Sequence, residues 1–177
     1  MACIKTLNKA ITYGCQVGAV GIAELHLINF GDITSATISA DNEVTAVALR
    51  SGAKTIPVDC YKNGGKVVEA LKGSDVANGL DQSISFVLYD KAADSRAIIA
   101  ALLSGRFIAA VKLKDISALP ILVGYRCGLE VSQLDTDSSA NGGFASITIK
   151  TPEDARGEGR LTINDVAWNT ITAAKLS

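Results

Sequence analysis

The chain has 177 residues, 48% of them hydrophobic and 20% charged, which is enough for one well-formed core and too apolar for intrinsic disorder. Lys plus Arg number 17 against 18 for Asp plus Glu, and a formal charge of −1 excludes a dedicated electrostatic nucleic-acid binder. One His, one Met, one Trp and 5% aromatic residues leave little material for catalysis.

The opening, MACIKTLNKAITYGC, carries Lys5 and Lys9 with no continuous apolar run behind them, so it does not read as a secretory signal. No stretch approaches the roughly 18 apolar residues of a membrane-spanning helix, and the expectation is a soluble, cytosolic chain. The glycines of Gly14 to Gly21 lead into a strand without the Lys-Ser or Lys-Thr of a phosphate loop, so they read as turn and bulge residues. Ile22 to Asn29 (IAELHLIN) alternates, which places Ala23, Leu25 and Leu27 on one face and Glu24 and His26 on the other. Ala36 to Ser39 and Val44 to Leu49 are short strand-like runs joined by the turn Ala40-Asp41-Asn42-Glu43. Pro57 cannot donate to a ladder, so Lys54 to Tyr61 belongs at a sheet edge or a bulge. Asn63-Gly64-Gly65 signals a turn; Lys66 to Leu71 fits a strand or one helical turn, and Gly73 to Asp81 reads as loop.

The second half is clearer. Ser83 to Tyr89 (SISFVLY) sets Ile84, Phe86 and Leu88 against Ser83, Ser85 and Val87, the pattern of a half-buried strand. Asp94 is placed to cap a helix over about 94–104, with Ala97, Ile98, Ala101 and Leu102 as its apolar stripe and Gly105 as its stop. Phe107 to Lys114, Leu119 to Tyr125, Leu129 to Leu134, Phe144 to Lys150 and Arg160 to Ile163 read as five further strands. Between them lie two polar insertions, Asp135 to Gly143 and Thr151 to Gly159. Turn signals every 8 to 12 residues or so predict a mainly β domain, a sandwich or barrel of about ten strands with one flanking helix. No linker divides residues 1–177, so a single domain is expected, with an N-terminal arm over about 1–21 and a long loop over about 62–81.

The residues offer no catalytic constellation. His26 is the only imidazole and sits mid-strand, where a surface or hydrogen-bonded strand histidine is the plain reading. Cys3, Cys15, Cys60 and Cys127 show no C-x-x-C spacing and read as free, mostly buried thiols rather than zinc ligands or reactive groups. Asp135 and Asp137 lack the later ligands and closing Glu of a calcium loop, and Glu153 and Asp154 lie in a mixed-sign surface segment. No enzyme activity, cofactor or metal is therefore expected. The edge strands and polar excursions fit a subunit that pairs with copies of itself.

Two runs carry a resemblance, SISFVLYDKAADSRAIIAALLSGRFIAAVKLKD and LPILVGYRCGLEVSQLDTDSSANGGFASITIKTPE. With Cys3, Gly14-Cys15, Gly21-Ile22, Leu25 to Asn29 and Asp32-Ile33, they resemble virion proteins of tailed phages and prophages of Bacteroidota-type hosts. The strand–helix–strand–hairpin order is similar to phage tail tube proteins and to tube proteins of contractile injection systems. The resemblance implies a tail-tube-like fold whose subunits form rings, commonly hexameric, that stack around a channel through which DNA passes non-specifically. It implies a virion protein assembled in the bacterial host cytoplasm, with itself and other virion proteins as partners and no membrane. It also implies an inter-ring loop, here Lys62, Asn63, Gly64, Gly65, Asp75, Asn78 and Asp81, with the N-terminal arm and the segment after Trp168 as further assembly elements.

Other readings separate by experiment. A connector ring, a tail terminator and a capsid decoration protein differ from a tube in the assembly each forms. A ligand- or carbohydrate-binding β-sandwich needs exposed aromatic platforms, for which nine Phe, Trp and Tyr residues are available. A histidine-dependent enzyme would lose its activity in His26→Ala.

Overall fold

The computed structural model describes residues 21–60, 65–73, 79–88, 93–115, 117–136 and 144–176. Eleven strands form two sheets. β1 (Ile22–Asn29), β2 (Ile33–Ile38), β3 (Glu43–Leu49), β4 (Ile56–Val58), β7 (Phe107–Leu113), β8 (Ile121–Val123) and β11 (Leu161–Ile163) make a seven-stranded sheet in the order β2-β3-β11-β8-β7-β1-β4. β5 (Lys66–Lys72), β6 (Gly79–Leu88), β9 (Glu130–Thr136) and β10 (Ala145–Lys150) make a four-stranded sheet in the order β5-β6-β10-β9. Two helices accompany them, α1 (Ala93–Ser104) and α2 (Asp165–Ala173). The mainly β class is as the sequence predicts.

The layers follow from where apolar side chains fall. Leu25, Leu27, Phe107, Ala109, Val111 and Val123 of the large sheet pack against Ile84, Phe86, Ile147 and Ile149 of the small one. On the opposite face of the large sheet, Ile28, Val44, Ile108, Leu122 and Ile163 pack against Ala167, Trp168 and Ile171 of α2. The centre of the large sheet is thus covered on both sides, which explains the unbroken apolar runs of β7 and β8. Among the described residues the small sheet is covered on one side, and its central strands β6 and β10 alternate.

Strand β1 departs from simple alternation. A bulge between Ile22 and Glu24 shifts the register against β7, so Ile22, Leu25 and Leu27 all enter the core between the sheets. Ala23, expected on that face, is exposed, and His26, expected on the outer face with Glu24, is buried beneath α2. Pro57 lies on β4, an edge strand, as its missing N–H requires.

The second helix corrects the expectation of one. Asn164 caps α2, its Oδ1 accepting from the Ala167 N–H at 2.9 Å, and Asp165 places a negative charge in the first turn. The segment after Trp168 completes α2 and is bonded to Thr55. The Thr55 hydroxyl donates to the Ile171 carbonyl at 3.0 Å, and Thr55 exchanges backbone bonds with Ala174 and Leu176. Those three bonds tie the chain's end to its own large sheet.

The expected loop over about 62–81 is corrected as well. Much of it is an antiparallel hairpin, in which Lys66 to Lys72 pair with Ser85 to Gly79. Val67 faces the core between the sheets, and a period-two strand rather than a helical turn is what puts it there. Helix α1 starts at Ala93, one residue before the expected Asp94, whose side chain lies outside the described residues. Of its predicted stripe only Leu102 is buried, while Ile98 is 43% exposed. Residues 14–20 of the glycine-rich segment, Cys3, Cys15 and Asp137 also lie outside the described residues.

Candidate functional site: the open sheet

The small sheet turns one face to the core and the other away from it, and strand register sorts the residues. Across the outward face run two rows, Lys66–Ser85–Thr148–Gln133 and Val68–Ser83–Lys150–Glu130, flanked by Asp81 and by Ser146 beside Asp135. Small hydroxyl side chains occupy the middle of this face. Ser85 and Thr148 meet directly across β6 and β10, with their oxygens 2.9 Å apart.

Among the described residues of this face the charges cancel: Lys66, Lys72 and Lys150 stand against Asp81, Glu130 and Asp135, three of each sign. Lys150 Nζ lies 2.9 Å from Asp81 Oδ2, and that carboxylate holds the ammonium's pKa above its ordinary value. Arg106 at the rim donates to Glu130. Lys72 is occupied by its own chain: Nζ donates to the carbonyls of Pro152, Glu153 and Ala155 at 3.0, 2.8 and 3.1 Å. The result is a wet, hydroxyl-lined surface without a net electrostatic hold on a polyanion.

Strands β5 and β9 are the edges of this sheet, seven residues each, and among the described residues each pairs with one neighbouring strand. Because β5, β6, β10 and β9 alternate in direction, the two edges run antiparallel to each other. A second copy beside the first can therefore continue the antiparallel ladder, β9 to β5.

Of the residues expected in an inter-ring loop, Gly65 and Asp81 are described. Lys62, Asn63, Gly64, Asp75 and Asn78 lie outside the described residues. Gly65 is a packing residue, since a Cβ there would stand 2.9 Å from both Cys60 Sγ and Ile22 Cδ1. Asp81 sits further along the hairpin, on the outward face with Lys150. Sequence reading missed the hydroxyl rows as a site, although the alternating Ser and Thr of SISF and ASITIK are their signature.

His26 is buried at 6% exposure, with Glu24 Oε2 4.0 Å from its Nε2 and with Trp168 against its ring. Burial raises the thiol pKa of both Cys60 and Cys127, with Asp59 and Glu158 adding in the same direction. Both are free thiols of low nucleophilicity at neutral pH. Among the described residues no three His, Cys, Asp or Glu side chains converge as metal ligands, and no helix is long and apolar enough to cross a membrane.

No protein-family model, no curated protein and no solved structure matches this chain.

Proposed function

We propose that the chain is a non-enzymatic structural subunit that assembles with copies of itself into rings, which stack into a tube like that of tailed-phage tails. One observation carries this reading: the small sheet has two open edges of opposite direction and an outward face whose charges cancel. Edge-to-edge pairing of β9 on β5 is heterologous, so it closes into a ring when the rotation between copies divides a full turn. In such a ring the hydroxyl rows face the channel. A basic lining would grip phosphates through counterion release, whereas Ser83, Ser85, Ser146 and Thr148 with compensated charges let DNA slide. The corresponding setting is a virion assembled in a bacterial cytoplasm, with other virion proteins at the two tube ends.

Negative-stain electron microscopy of the purified full chain tests the reading. Stacked rings or tubes with a channel support it. Discrete single rings point to a connector or terminator instead, and a persistent monomer at high concentration overturns self-assembly. Leu134→Pro and Asp135→Pro, made separately on the regular part of β9, identify the contact. Consecutive backbone N–H groups point to opposite sides of a strand, so one of the two variants keeps the internal ladder and removes a donor from the free edge. That variant is expected to fold and to lose rings.

A further inference from the structure

Beside helix α1 the space between the two sheets opens as a cleft of about 720 Å³. Leu27, Ile56, Phe86, Leu88, Ile98 and Leu102 supply most of its wall. Leu27 and Ile56 reach it from paired strands of the large sheet, and Phe86 and Leu88 from one strand of the small sheet. Leu102 of α1 is buried there, while Ile98 lines the cleft at 43% exposure, so the helix fills the gap only in part. Interiors are otherwise close-packed, and a volume within the roughly 300–1,000 Å³ of ligand pockets marks this as a site rather than a packing fault.

The polar groups of the cleft lie at its rim. Asn29 and Asp59 are its two polar side chains, and both are exposed. Asn29 commits its amide nitrogen to Asp32 Oδ2, 3.1 Å away, and keeps its amide oxygen as an acceptor. Asp59 is the one charged residue lining the cleft, and among the described residues it has no ion-pair partner. Pro57 and Asp59 also border a polar depression shared with Glu24, His26 and Lys175, so the apolar wall gives way to water at Asp59. Lys175 lines that depression and not the cleft.

We propose that the cleft binds a single-chain amphiphile with a cationic head, its alkyl chain among Leu27, Phe86, Ile98 and Leu102 and its ammonium at Asp59. The wall offers an apolar chain no polar competitor, and the rim offers oxygen acceptors to a donor head. An anionic head of the same length would meet Asp59 as a like charge. The ion pair stays at the rim, where water still reaches both charges, so no ion has to be buried. This goes beyond the assembly reading and does not depend on it. The cleft is built within one copy, and no residue of β5 or β9 lines it.

Titration calorimetry of the full chain with octyl-, decyl- and dodecylammonium, each below its micelle concentration, tests the proposal. Trp168, on the other face of the large sheet, reports by its fluorescence that the fold is intact. One molecule is expected to bind per chain, with affinity rising about fourfold for each methylene buried. Attraction for one head and repulsion of the other should make dodecylammonium bind about tenfold more tightly than dodecanoate. Asp59→Asn is expected to remove that preference and keep the dependence on chain length. Ala101→Trp, at an exposed helix position lining the cleft, is expected to abolish binding of both. No saturable binding, affinity independent of chain length, or full binding by Ala101→Trp overturns the site. Dodecanoate bound as tightly as dodecylammonium, or a preference that survives Asp59→Asn, overturns the cationic head. Tubes or single rings in the microscope bear on assembly alone, so the two readings fail separately.

Discussion

The imidazole of His26 and the indole of Trp168 stand nearly perpendicular, at 85°, with ring centroids 5.7 Å apart. They are the only His and the only Trp in the chain, and they join the large sheet to α2. His26 Nδ1 is buried with no hydrogen-bond partner among the described residues. The charged groups around the ring are Glu24 on its own strand, Lys112 on β7 against Glu24, Asp59 after β4 and Lys175 after α2.

Stability should therefore fall in mild acid. Burial lowers the His26 pKa below its ordinary 6.5, Glu24 opposes that shift and Lys175 adds to it. With the folded pKa depressed, the unfolded chain binds more protons, so stability rises with pH through this range. The contribution is complete above about 6.5 and is lost as pH falls towards the folded pKa. Urea unfolding followed by Trp168 fluorescence at pH 7.5 and 5.5 measures it. The acid loss is expected in the parent and should be much reduced in His26→Gln. An equal slope in both would remove His26 from the account.

The N-terminal cap of α2 gives a second, local test. Asn164→Ala removes the side-chain acceptor of the Ala167 N–H and should cost about 1 kcal/mol, within the usual range for caps. Hydrogen exchange of α2 should rise more than that of the small sheet. Uniform acceleration would mean that α2 and the sandwich open as one unit.

How much of this could be read in advance depends on what each residue had to satisfy. The two central strands of the small sheet were legible over Ser83 to Leu88 and Ala145 to Lys150, because one covered face leaves an alternating record, whereas Lys66 to Leu71 fitted a strand or one helical turn and Gly79 to Asp81 read as loop. Pro57 gave its edge position through chemistry alone. Helix α2 was obscured because its apolar residues, Ala167, Trp168 and Ile171, are few and follow a short strand; Asn164-Asp165 was the available signal. The β1 bulge was invisible to a period-two reading, which sent Ala23 inward and His26 outward. The edge positions of β5 and β9 needed strand order, which no local pattern encodes.

Lys72 links the hairpin to the segment after β10, and its removal should loosen that end of the sheet. Lys72→Met keeps the aliphatic stem and deletes three charge-assisted donors. The ammonium is partly exposed, so water takes over some of the carbonyls and the expected loss is about 1 kcal/mol. Amide exchange across Lys66 to Lys72 should accelerate while β7 and β8 stay protected. Unchanged exchange in β5 would show that backbone pairing with β6 and Gly157 holds the hairpin unaided.

Gly65 separates a packing role from an assembly role. Its sequence context, Asn63-Gly64-Gly65, suggests a flexible turn, yet its Cα faces Cys60 and Ile22 at close range. A methyl group there must displace the Cys60 sulfur and the fully buried Ile22, and overpacking of this kind costs about 1–3 kcal/mol. Gly65→Ala is thus expected to lower the urea midpoint while leaving any assembly formed by the folded protein unchanged in shape. The compensating change Cys60→Ala removes one of the two equally close obstacles and should recover part of the loss. A stable Gly65→Ala protein with altered assembly would reverse the assignment and return Gly65 to the contact between copies.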